Sequence, residues 1–155
     1  MLRKIKKGLT LLELVIAMAL SSLVIVGATT IFVAMNRMSD AETRSFTEST
    51  NVKQLITTID SVLGDHENDN ISLNSEETFP NPLFTITKDE TQIEYSFENK
   101  ELSKTTSGNK ETIFTVTYDV RISLSVYSAG SSIYKFTFEY GKDFAKSMYL
   151  LKKVN

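Results

Sequence analysis

From Leu14 to Met35 the chain runs for 22 residues without a charge, interrupted only by Ser21, Ser22, Gly27, Thr29 and Thr30. Wound as a helix at about 1.5 Å per residue, this stretch reaches roughly 33 Å, enough to cross a hydrocarbon layer of ~30 Å. Four cations precede it (Arg3, Lys4, Lys6 and Lys7) with no acid among residues 1–8, and Arg37, Asp40 and Glu42 follow it. By the positive-inside rule this asymmetry keeps the N-terminus in the cytoplasm and sends the remaining chain outside. A chain opening this way is expected to be a single-pass membrane protein with one domain behind its anchor.

Glu13 does not fit a plain anchor. It stands at the edge of the apolar run among Leu11, Leu12, Leu14 and Val15. A carboxylate in hydrocarbon costs about 2.5–3.5 kcal/mol on insertion scales, and less near the interface. Two readings follow. Either Glu13 lies at headgroup level and marks the helix start, or it has a cationic partner within the membrane.

The octapeptide Lys7-Gly8-Leu9-Thr10-Leu11-Leu12-Glu13-Leu14 resembles the processing site of type IV prepilins, in which a short basic leader ends in Gly. The resemblance implies that a membrane aspartic peptidase, the prepilin peptidase, cuts between Gly8 and Leu9 and methylates the freed amine of Leu9. It makes Glu13 the fifth residue of the mature chain. There its carboxylate would be compensated by a Leu9 amine on a neighbouring subunit, setting register during assembly; a buried charge requires such a partner. It further implies a long helix packed on an antiparallel sheet, other pilin or pseudopilin subunits and a membrane assembly platform as partners, no cofactor and no enzymatic role. Two departures stand out. Leu9 occupies a position where Phe is commoner, and the stretch Gly27-Ala28-Thr29-Thr30 lacks the helix-kinking Pro of many major pilins. Without Pro the helix keeps its backbone hydrogen bonds, with Gly27 as its weak point. The competing reading of the same segment is a secretory signal peptide cut after Ala28, which an internal acid and the long span oppose.

Beyond Met35 the chain turns polar, yet no Gly or Pro occurs from 28 to 63. Val52, Leu55, Ile56, Ile59, Val62 and Leu63 recur at helical spacing, which predicts a helix from about residue 10 to 63 with a break possible in the Ser/Thr-rich stretch 36–51. Gly64 reads as its C-cap. From Phe79 onward the period becomes two. Phe84 and Ile86, then Ile93, Tyr95 and Phe97, then Phe114, Val116, Tyr118, Val120, Ile122, Leu124 and Val126, then Tyr134, Phe136, Phe138 and Tyr140 alternate with polar residues. This is the pattern of antiparallel sheet with one buried face. Five or six strands are expected, with 114–126 as one long strand carrying a bulge or bend. The fold class is therefore α+β, divided into a leader (1–8), a transmembrane segment (9–35), a soluble continuation of the helix (36–64) and a β-rich body (65–155). Ile93-x-Tyr95-x-Phe97 followed by Leu102-Ser103-Lys104 and a polar turn is similar to the hairpin region of minor pseudopilins, among them the J-type subunit of type II secretion and a competence pseudopilin of Gram-positive bacteria.

Charge and chemistry narrow the function. The formal net charge is −2; setting aside the four leader cations leaves 13 basic and 19 acidic residues in 9–155, a net of −6. So acidic a body argues against nucleic acid as its ligand, since phosphate binding needs surplus Lys and Arg. The only clustered candidates for such contact are Lys142, Lys146, Lys152 and Lys153, the last two reading as a soluble tail. There is no cysteine and one histidine, His66, and no phosphate loop or catalytic signature. Asp65, Glu67 and Asp69 are weak candidates for calcium ligands; an acidic turn is ordinarily solvated. The acidic body and absent Pro favour a minor subunit over a major one. The alternative is a single-pass anchored extracellular binding domain that joins no filament; it predicts an uncut N-terminus and tolerance of Glu13→Leu.

Overall fold

The computed structural model of the chain describes residues 10–67, 69–74, 82–128 and 132–154. One α-helix, α1 (Leu11–Asp65), runs unbroken for 55 residues. The polar stretch 36–51 holds no interruption. Its Arg, Met, Ala and Glu residues are good helix formers, and neither Gly nor Pro intervenes. Gly64 is not a left-handed cap, because the helix continues past it to Asp65. The chain then leaves through a turn in which the Glu67 amide donates to the Gly64 carbonyl at 3.3 Å.

By its contacts the chain divides after Arg44 into two compact units. In the first, the apolar side chains of α1 are all exposed, from Leu11 (82%) through Val24 (67%) to Met38 (65%). The hydroxyls inside this segment turn back on their own helix. Ser21 donates to the Ala17 carbonyl, Ser22 to Ala19, Thr29 to Ile25 and Thr30 to Val26, at 2.6–2.9 Å. Lipid offers such groups no partner, so this local bonding is what makes them tolerable in an apolar span.

The second unit holds the core. α1 contributes Val52, Leu55, Ile59 and Leu63, all essentially without exposure, at spacings of three and four. Eight strands follow among the described residues: β1 (Asn70–Leu73), β2 (Phe84–Lys88), β3 (Thr91–Glu98), β4 (Glu101–Thr106), β5 (Asn109–Thr115), β6 (Val120–Ser128), β7 (Ile133–Tyr140) and β8 (Lys146–Lys153). They form two antiparallel meanders, one of five strands (β1 to β5) and one of three (β6 to β8). Phe84 of β2 stacks on Tyr95 of β3 at 4.8 Å and meets Phe136 of β7 edge-on at 6.4 Å, so one aromatic cluster joins the two sheets. Burial pushes the Tyr95 phenol pKa up, and the nearby Asp65 carboxylate adds to the shift.

The expected single strand over 114–126 is two strands in different sheets. The chain crosses between them at Val116–Asp119, held to the β3–β4 turn at three points. The Val116 amide donates to the Lys100 carbonyl (2.8 Å), and Lys100 Nζ donates to the Thr117 carbonyl (3.4 Å) and pairs with Asp119 (3.2 Å). Alternation hid the break because Val116 and Val120 on either side of it are both buried. Val126, expected inside, is half exposed where β6 meets a register shift.

Lys152 and Lys153 are not a tail either. They end β8, and Lys152 Nζ bonds Asp60 on α1 at 2.7 Å. Lys146, at the other end of the strand, donates to Ser45 Oγ (2.6 Å) and lies 3.7 Å from the buried Glu48 carboxylate. β8 was hard to recognise because two of its four inward positions are lysines whose ammonium groups reach helix partners while their stems cover apolar surface.

Candidate functional site

The start of α1 is built as a capping box. Thr10 sits one residue before the helix and Glu13 three residues on. The Thr10 amide and the Thr10 hydroxyl both donate to Glu13 Oε2 at 2.9 Å, and the Glu13 amide donates back to Thr10 Oγ1 at 3.3 Å. The Leu14 amide bonds the Thr10 carbonyl (3.2 Å), closing the first turn. The Thr10 and Glu13 amides are two of the backbone donors that a helix N-terminus otherwise leaves without a partner. A cap of this kind stabilises a helix by roughly 0.5–2 kcal/mol, and the macrodipole favours a carboxylate there.

Chemically, the box reconciles a carboxylate with the edge of an apolar span. Two donors hold Oε2, while a carboxylate can accept about four hydrogen bonds. Capacity therefore remains for a cation arriving from elsewhere. Thr10 escaped the sequence reading, although Thr-x-x-Glu directly before an apolar run is the signature that reveals it. Gly8 and Leu9, the expected cleavage and methylation positions, lie outside the described residues. Gly27, the expected weak point, is in continuous helix with open space around it.

The remaining candidates separate. His66 Nδ1 and Asp69 Oδ2 are 2.6 Å apart, with Lys88 Nζ 4.0 Å from the same oxygen. Asp65, Glu67 and Asp69 do not converge, and among the described residues no group of three or more His, Asp or Glu is placed to hold a metal. The four lysines considered for anion contact are also scattered. Lys146 and Lys152 bond α1, Lys153 lies on the opposite face of β8, and Lys142 is in the β7–β8 turn. The hairpin suggested by Ile93, Tyr95, Phe97 and Leu102 does form, with Phe97 opposite Leu102 and Ile93 opposite Thr106.

α1 is long and apolar enough to cross a membrane. Residues 3–29 match the family model of the prokaryotic N-terminal methylation motif. That match spans the basic cluster, Gly8, the capping box and most of the apolar run, and it ends before the β-rich body. No curated protein and no solved structure gives a significant match to the chain.

Proposed function

Taking the chain as a type IV prepilin-like, membrane-anchored protein, we propose that it is a minor pilin or pseudopilin: a non-enzymatic subunit of a type IV pilus, a type II secretion pseudopilus or a competence pseudopilus. The observation that carries this reading is one segment with two properties. It matches the methylation motif, and its apolar side chains find no cover within the described chain. Before assembly lipid covers them. In a filament the helices of neighbouring subunits do so, by close packing rather than by a hydrophobic gain over lipid. Prepilin peptidase removes residues 1–8, leaving Leu9 as the methylated N-terminus. The Leu9 amine of one subunit then meets the Glu13 carboxylate of another, supplying the cation for which the capping box leaves room. The N-terminus begins on the cytoplasmic side and the β-rich body lies outside.

Photo-cross-linking tests the assembly step. With benzoylphenylalanine in place of Val24, which is exposed on the helix, irradiated cells should yield adducts to other pilin-like subunits. Those adducts should vanish in a strain lacking the peptidase. Adducts of equal yield without the peptidase, or a chain that stays monomeric in its presence, would speak against assembly.

A further inference from the structure

A cleft of about 720 Å3 opens in the body where three connections meet: the β3–β4 turn, the crossover before β6 and the short 3-10 turn before β8. Its apolar wall is Phe97, Val120 and Phe144; its rim carries Glu98, Asn99, Lys100 and Asp119. Asn99 and Lys100 have the positive φ (50° and 71°) that a two-residue hairpin turn requires, whereas Asp143 and Phe144 (55° each) lie in no such turn. A bulky aromatic residue rarely adopts this conformation, and such outliers gather at ligand sites. The Phe144 ring is held in place by the Arg121 guanidinium, 4.4 Å from its centre.

The rim decides the ligand class. Asp119 pairs with Lys100 at 3.2 Å, and Glu98 lies 3.9 Å from Lys110. Each acid is thus already balanced by a cation, so the cleft offers donors and acceptors side by side without a net field to attract an ion. An aromatic wall beneath such a rim suits a molecule with an apolar C–H face and a ring of hydroxyls. We infer that this cleft binds a neutral saccharide, one sugar ring lying against Phe144 with its hydroxyls shared among Asn99, Glu98 and Asp119. The site is separate from the N-terminal helix, so its failure leaves the assembly reading untouched.

Saturation-transfer NMR on the full chain, in a detergent without a sugar headgroup such as lauryldimethylamine oxide, tests it. The probes are N,N′-diacetylchitobiose and methyl β-glucoside, with lysine methyl ester as the cationic comparator. The expected result is saturable transfer to the C–H protons of at least one saccharide. Removing one aromatic contact (Phe144→Ala) or one charged hydrogen bond (Asp119→Asn) should weaken it by about fivefold or more. Asp119 is highly exposed, so that variant keeps the test valid if Phe144→Ala disturbs the turn. No saturable transfer, transfer unchanged in both variants, or binding of the lysine ester alone would overturn the inference.

Discussion

Phe136→Ala should destabilise the body by about 3–5 kcal/mol, the usual loss when a large, fully buried aromatic is truncated and its cavity cannot close. Phe136 has no exposed surface and stands where the three-stranded sheet meets the five-stranded one through Phe84. Phe136 pairs with Leu124 of β6 and Leu150 of β8, and strands held on both sides resist collapse into the space. Small domains have only about 5–15 kcal/mol in total, so the variant should lose much of its stability. Chemical denaturation followed by circular dichroism measures the difference. Tyr149→Ala is the comparison, since Tyr149 is 65% exposed and truncation at such a site usually shifts stability within about 0.5 kcal/mol. Equal effects in the two variants would mean that the aromatic cluster does not hold the sheets together.

Glu13→Leu should leave the protein in the membrane and remove it from filaments. Losing the carboxylate makes the helix easier to insert, yet it leaves the arriving amine without its counter-charge. A penalty for an unpaired charge of at most about 2.5–3.5 kcal/mol, less near the interface, corresponds to a loss of incorporation of up to about seventyfold to a few hundredfold. Glu13→Gln separates the two roles of the side chain. Gln can occupy the same place in a capping box, so the helix start survives while the charge is lost. Gln should therefore assemble as poorly as Leu, scored as the ratio of filament-associated to membrane-retained protein. If Gln restored assembly, Glu13 would be acting through the cap and not through its charge.

The sequence was most readable where one physical demand dominates. A bilayer requires a long uncharged run, and the basic cluster, Gly8 and Glu13 form a linear pattern, so anchor and motif are legible in the sequence itself. The helical stripe from Val52 to Leu63 was equally clear, because one side of a helix faces one core. What alternation could not show was strand identity. Phe114, Val116, Val120 and Ile122 keep period two straight through a crossover between sheets, since the core surrounds the chain on both sides of the break. β8 was obscured for the opposite reason. Lys146 and Lys152 occupy inward positions and read as polar, although Glu48, Ser45 and Asp60 on α1 receive them. The cleft beside Phe144 had no linear signal, because it is assembled from three turns far apart in the chain. Thr10 does have a linear signal, Thr-x-x-Glu before an apolar run, which the charge of Glu13 beside it masks.

The most direct test of the account is the intact mass of the protein recovered from cells with and without prepilin peptidase. Residues 1–8 should be lost and one methyl group gained only when the peptidase is present, leaving a chain that begins at Leu9. An unprocessed chain in both strains, or one cut near Ala28, would contradict it and leave an anchored or secreted β-rich domain.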